Sequence, residues 1–273
     1  MPMSIQLFWT YQVMFNSTYI ILGSNGLVGS YLFEVLKRGG AKVIGVNREN
    51  YRKHIGEKAD FLINCNGNSV RYKANQEPNW DFSESFLSVF DSINDFRCDT
   101  YIYISSADVY NNLSNIDNNH EGALIEPTNL NYYSFHKWLS ERLVSKYKSQ
   151  YIILRLGAVL GPKLKKGPIY DMLNGQSLHM SLNSKITFID VKTIFDTIKV
   201  LIGKKLFNEI YNVTGSGVTK LSALIECFDS KPKVGSRSKD IVLSYNINVN
   251  KLSKIIKIKT STDIAKNFIH KYK

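Results

Sequence analysis

Residues 18–50 read TYIILGSNGLVGSYLFEVLKRGGAKVIGVNREN. A strand-like run, Thr18 to Leu22, ends at a glycine, and Gly23, Gly26 and Gly29 then stand three residues apart. From Leu27 onward the apolar residues recur at helical spacing until Gly39 and Gly40 close the helix, and a second strand-like run ends near Val46. Strand, glycine turn, helix and strand make one βαβ unit. At such a turn the missing side chains let a backbone approach a pyrophosphate, and the helix that follows offers unpaired N–H groups at its start. A mere tight turn also uses glycine, but a strand and a helix of these lengths on either side favour cofactor binding.

Outward from this unit, strand-like runs recur at DFLINCNG (60–67), TYIYISS (100–106), YIILRLG (151–157) and EIYNVTG (209–215), with helix-length segments between them. Alternation of this kind predicts an α/β fold whose parallel sheet is covered on both faces. Segments 161–185 and 216–273 follow the alternation less well and are expected to form a smaller lobe. The apolar leader, residues 1–16, is expected to be an extension outside the fold.

The 273 residues are 44% hydrophobic, enough for a sizeable core. No apolar run approaches the ~20 residues that cross a bilayer, and the opening MPMSIQLFWTYQVMF lacks the charged region and cleavage site of a signal peptide. A cytoplasmic protein without a membrane partner is expected. Cys65, Cys98 and Cys227 are odd in number and unpaired in spacing, which suits neither a disulfide framework nor zinc, and no metal is expected. The net charge of +12 is compatible with a nucleic-acid footprint or with a Lys-rich surface facing anionic small molecules. The second reading is preferred, with no nucleic-acid partner, because the cations are dispersed; the densest groups are GPKLKKGP (161–168) and the tail from Lys251.

Tyr133 stands four residues before Lys137 in LNYYSFHKWLSERLV (130–144), on one face of a predicted helix. Alone the pair means little, since about one or two such pairs are expected by chance in a chain rich in Tyr and Lys. As chemistry it is coherent. A nearby ammonium favours phenolate and should lower a phenol pKa that is ordinarily ~10, so the tyrosine can exchange a proton at neutral pH. As ordinary structure, both residues would be solvated positions on a surface helix. Tyr132 is a competing phenol, but its fourth neighbour is His136.

GSNGLVG (23–29), YIYISSADVY (101–110), YYSFHK (132–137) and ILRLGAVLGP (153–162), in this order, resemble the extended short-chain dehydrogenase/reductases over about residues 18–215. Members act largely on nucleotide-activated sugars. The resemblance implies a Rossmann-like doubly wound sheet over 17–160 and 186–215, with 161–185 and 216–273 as a small substrate lobe. It implies Ser106, Tyr133 and Lys137 as the catalytic triad, Ser106 hydrogen-bonding the reacting oxygen. The implied cofactor residues are Gly23, Ser24, Asn25, Gly26, Leu27, Val28, Gly29, Asn47, Arg48, Asn66, Gly67, Tyr133, Lys137, Leu156 and Gly157. The implied substrate residues are Asn68, Ser69, Asp108 and Ala158. A homodimer is also implied, paired through the helices in 81–96 and 133–146.

Departures from the family pattern shape the functional expectation. Asn47 and Arg48 stand where an NAD-specific enzyme commonly has an acid for the ribose 2′-hydroxyl, and a cation there suits a 2′-phosphate, so NADP(H) is favoured; Glu49 keeps NAD(H) open. Only RENYRKHIGEKA (48–59) separates the second strand from the third, so an outer strand is expected to be deleted. Ala158 replaces an asparagine that often contacts the substrate diphosphate, and Ala107 followed by Asp108 argues against the dehydratases' Asp-Glu pair. The expected activity is NADP(H)-dependent reduction of a nucleotide-linked keto-sugar, with Tyr133 as proton donor. The alternatives are an NAD(P)-dependent epimerase and a non-catalytic dinucleotide-sensing protein.

Overall fold

The structure, a computed structural model, describes residues 14–229 and 231–273. Its strands are β1 (Thr18–Leu22), β2 (Lys42–Val46), β3 (Lys58–Asn64), β4 (Arg97–Ser106), β5 (Tyr151–Leu156), β6 (Ala158–Leu160), β7 (Lys185–Ile186), β8 (Phe188–Asp190), β9 (Glu209–Val213) and β10 (Thr219–Lys220). The longer helices are α1 (Leu27–Arg38), α2 (Arg71–Gln76), α3 (Pro78–Asp81), α4 (Ser88–Asp95), α5 (Tyr132–Tyr147), α6 (Pro168–Leu173), α7 (Val191–Gly203), α8 (Asn250–Ser253) and α9 (Ser261–Tyr272). A wide-turn segment, Phe82–Leu87, joins α3 to α4.

A six-stranded sheet runs in the order β2-β1-β3-β4-β5-β9. The pairs β1–β2, β1–β3 and β3–β4 are parallel, as the βαβ reading requires. β2 is the outermost strand on its side, so the outer strand expected beyond it is missing, and the short helix Tyr51–His54 leads directly into β3. The register of β1 on β3 is pinned at its start: Asp60 Oδ2 accepts from Thr18 N–H at 2.7 Å and from Thr18 Oγ1–H at 2.8 Å.

The strands read as near-continuous apolar runs because both faces of the sheet are covered. Ile20, Leu22, Leu62, Tyr101, Tyr103 and Ile153 meet Val89, Ile93 and Val144 in one core cluster. Removing such side chains from water contributes roughly 1.5–3 kcal/mol apiece. Residues 1–13 of the expected extension lie outside the described residues, but Met14 is fully buried and its carbonyl accepts from the Tyr19 hydroxyl at 2.9 Å. The segment immediately before β1 therefore belongs to the packed structure.

The chain forms two compact units. The first runs through Asn111 and takes in Ile125–Arg155 and Phe195–Tyr211; the second holds Asn112–Leu124, Leu156–Ile194 and Asn212–Lys273. In the second unit β6 pairs with β8 in parallel and β7 with β10 in antiparallel. Asn212 is fully buried there, its amide donating to the carbonyls of Asn119 at 3.0 Å and Asn248 at 2.8 Å. One side chain thus ties the 112–124 loop and the C-terminal segment to a strand. Among the described residues, no helix is long and apolar enough to cross a membrane.

Candidate active site

The Gly-rich turn leaves β1 with Gly23 in the left-handed region (φ 75°), where its N–H donates to Val46 O at 2.9 Å. That bond joins the ends of β1 and β2 beneath the turn. A Cβ on Gly29 would lie 2.3 Å from Gly23 O, so only glycine lets the first turn of α1 sit this close to the strand end. Gly26 is the N-cap of α1 in an extended conformation, and no side chain caps the helix. The cradle is bare backbone at a positive helix end, which fits a dinucleotide pyrophosphate. Ser24, Asn25, Leu27 and Val28 form the rest of this turn.

Ser106 ends β4 and accepts a hydrogen bond at 3.2 Å from the Asp108 N–H. Tyr133 lies in the first turn of α5, which Asn131 caps by accepting from Ser134 N–H at 3.1 Å. Tyr133 and Lys137 are only 7% and 5% exposed, so they are not solvated positions on a surface helix. Tyr132, the competing phenol, is 52% exposed. The Ser106 hydroxyl lies near enough to the Tyr133 hydroxyl to favour its ionised form. Lys137 Nζ donates to Ile104 O at 3.3 Å and lies 5.1 Å from the centre of the Tyr103 ring. A Cβ on Gly67, which has φ 119°, would approach Lys137 Nζ to 3.1 Å, so a backbone loop closes over the ammonium.

One electrostatic expectation is corrected. The pair Tyr133 and Lys137 was expected to lower the phenol pKa, and in the structure that pKa is raised. Burial is the largest cause and acts upward; Lys137 acts downward but does not outweigh it, Asp108 and Tyr103 add upward, and Ser106 acts downward. The group at this position is a protonated phenol. Cys65, at the foot of the same loop, is likewise pushed up to about 12 by burial, against the pull of Lys137.

Buried charge holds the surrounding elements in place. Glu141, one turn beyond Lys137 on α5, is fully buried and accepts from Arg155 Nη2 at 2.7 Å, from Arg155 Nε at 3.0 Å and from Ser105 Oγ at 2.6 Å. Asp81 Oδ2 lies 2.6 Å from His136 Nδ1, and Asp81 Oδ1 accepts from Ser85 Oγ at 3.2 Å. Burial works to raise the Asp81 pKa, but hydrogen bonds from His136 and Asn68 bring it below the ordinary value. Ser85 Oγ in turn accepts from Asn68 N–H at 3.3 Å, fixing the loop that covers Lys137.

The first unit thus gathers the glycine turn, Asn66, Gly67, Asn68, Ser106, Asp108, Tyr133 and Lys137. Asn66 Oδ1 lies 2.8 Å from where a Cβ on Gly23 would be. Asn68 turns inward to Val70, donating to its carbonyl at 2.9 Å and accepting from its N–H at 2.6 Å, and Ser69 is exposed. Asn47 folds onto its own turn, its Oδ1 accepting from Glu49 N–H at 2.9 Å. Arg48, expected to be open to a 2′-phosphate, is ion-paired with Glu84 of the wide-turn segment. Leu156, Gly157 and Ala158 belong to the second unit; Gly157 leaves no room for a Cβ beside Thr214 Oγ1, and Ala158 N–H donates to Thr187 O at 2.9 Å.

Sequence reasoning missed Arg71, Asp81, Glu84, His136, Glu141 and Arg155. Two of these carried a readable signal: an arginine inside the apolar run YIILRLG, and a glutamate on the helix face already occupied by Tyr133 and Lys137, each of which demands a buried partner.

A doubly wound sheet with a bare glycine turn above its first strand, a half-buried serine ending its fourth, and a buried tyrosine and lysine on α5 defines a dinucleotide-dependent enzyme of the short-chain dehydrogenase type. The chain belongs to the NAD dependent epimerase/dehydratase family, whose model matches residues 19–214. No curated protein matches it. Among solved structures it is similar to a UDP-galactose 4-epimerase, 19% identical over 93% of this chain and 97% of that one, with a TM-score of 0.74. A dTDP-4-dehydrorhamnose reductase from Bacillus anthracis in complex with NADP is 15% identical over 94% and 98%, with a TM-score of 0.74. A UDP-glucose 4-epimerase from Thermotoga maritima with UDP-glucose is 16% identical over 93% and 98%, with a TM-score of 0.69. At these identities the similarity is one of fold. Among the described residues, no group of His, Cys, Asp and Glu could hold a metal ion.

Proposed function

We propose that this protein is an NADP(H)-dependent reductase of a nucleotide-linked keto-sugar. The observation that carries the reading is the Tyr133 phenol, buried beside Lys137 and Ser106 and kept protonated by that burial. A lysine is rarely buried without a paired acid, and a buried lysine beside a buried phenol is the arrangement expected of a proton-transfer site. When bound, the reduced nicotinamide supplies a hydride to the carbonyl carbon. Tyr133 gives its proton to the carbonyl oxygen, Ser106 turns its hydroxyl from Asp108 to that oxygen once substrate is in place, and the Lys137 cation stabilises the phenolate that remains. Segments 161–185 and 216–273 of the second unit are assigned to sugar recognition.

The test is a screen of nucleotide-linked keto-sugars for loss of reduced-nicotinamide absorbance. Stoichiometric consumption of NADPH is the expected result. Interconversion of a nucleotide-sugar without net consumption would instead assign an epimerase, and binding of dinucleotide with neither reaction would assign a sensor.

NADPH is expected to bind more tightly than NADH because Arg48 can turn from Glu84 to a 2′-phosphate, and Arg48→Ala should erase the difference. Equal affinities of the unmutated protein in calorimetry would remove the cofactor preference.

A homodimer is the proposed assembly. Leu87, Phe90, Tyr132 and Tyr147, on the wide-turn segment, α4 and α5, are 39–60% exposed, and the Phe90 and Tyr147 rings meet edge to face at 6.5 Å. Light scattering should return twice the chain mass of 31.2 kDa. A mass near that of one chain at micromolar concentration would reject the dimer.

A further inference from the structure

Ser106 has one hydroxyl hydrogen and two acceptors within reach. Its Oγ donates to Asp108 Oδ2 at 3.3 Å, and the same hydroxyl lies near the Tyr133 oxygen, where a donated hydrogen favours the phenolate. The Asp108 N–H, at 3.2 Å, already occupies a lone pair of Ser106 Oγ. Asp108 is itself fixed, because its Oδ1 accepts from Arg71 Nη1 at 2.8 Å, and the carboxylate is 17% exposed. Arg71 opens α2, directly after the loop that covers Lys137. A cation on one element therefore holds an anion against the serine of another.

We propose that Asp108, clamped by Arg71, is a positioning residue that claims the Ser106 hydrogen until substrate arrives and so keeps Tyr133 as a proton donor. The inference rests on the reading of Tyr133 as the acid and deepens it. The groups that face the phenol are Lys137 from its own helix, Tyr103 from β4, and Ser106 and Asp108 from the turn after β4; Arg71 faces Asp108. A phenolate here would draw on two donors, Lys137 and Ser106. While Ser106 points its hydrogen at Asp108, one of those donors is engaged elsewhere, and the carboxylate charge opposes a second anion nearby. Both effects favour the phenol. The bland alternative is that Ser106 and Asp108 only cap the short turn Ala107–Val109.

Two substitutions separate these readings. Asp108→Asn and Arg71→Met destroy the same ion pair but leave opposite charge behind. The readout is a spectrophotometric titration of tyrosinate, each protein measured against its own Tyr133→Phe counterpart to isolate one phenol among the 16 tyrosines. Loss of the carboxylate should move the Tyr133 transition to lower pH, and loss of the guanidinium, which leaves Asp108 unneutralised, should move it to higher pH. Shifts in the same direction, or no shift in either variant, would overturn the proposal and leave a structural cap. No substrate is needed. Opposite shifts in a protein that reduces no keto-sugar would therefore uphold this inference while refuting the proposed activity.

Discussion

Replacing Tyr133 with Phe is expected to lower turnover by ~100-fold or more, the scale of a lost general acid, with little change in fold or cofactor affinity. The substitution removes one hydroxyl from a buried ring whose partner, Ser106, retains Asp108 as an acceptor. The stability cost should stay near that of one neutral hydrogen bond, roughly 0.5–1.5 kcal/mol. Lys137→Met should behave differently, weakening NADPH binding as well as turnover, because the ammonium is proposed both to stabilise the phenolate and to bond the nicotinamide ribose. Turnover, calorimetric affinity and melting temperature of the two variants check this pattern. Near-normal turnover by the Tyr133→Phe protein on its true substrate would remove the residue from the mechanism.

Arg155→Met is expected to give the largest stability loss. Glu141 is fully buried and accepts three hydrogen bonds from Arg155 and one from Ser105; without the Arg155 guanidinium it is a buried charge left with only the half-exposed Arg142 at 3.7 Å. Breaking one side of such a pair costs about 3–5 kcal/mol, against roughly 0–1 kcal/mol for a surface pair. At about 2–4 °C per kcal/mol for domains of 150–250 residues, the melting temperature should fall by roughly 6–20 °C. The double variant Arg155→Met, Glu141→Leu should recover much of this, because it buries no unpaired charge. Thermal denaturation of the two proteins checks both claims, and a single variant as stable as the parent would refute them.

The βαβ unit and the strand-forming runs of the central sheet were legible because their signals are local: glycine at 23, 26 and 29 between two apolar runs can be read without knowing what lies nearby. The triad was legible as a pattern of residue types, though only as an expectation. Its electrostatics were not, since spacing reveals that Lys137 is close to Tyr133 but not how little water reaches either, and burial proved the stronger influence on the phenol. The ion pairs were illegible for a different reason. Arg48 meets Glu84 across 36 positions and His136 meets Asp81 across 55, partners chosen by folding and not by sequence neighbourhood. Arg48 therefore read as an uncommitted cation.

Ending the sheet at β2 bears on how long a cofactor can stay. Beyond β2 the chain has no further strand among the described residues, only one short turn of helix, Tyr51–His54, where the family resemblance implies a strand and its helices. Less enclosure means a faster dissociation rate. A reductase must discard its spent dinucleotide after each catalytic cycle, whereas an epimerase regenerates the same molecule in place and gains from slow escape. Under the proposed reductase reading, truncation of the sheet suits turnover by exchange, and the purified protein is expected to lose bound dinucleotide readily during gel filtration.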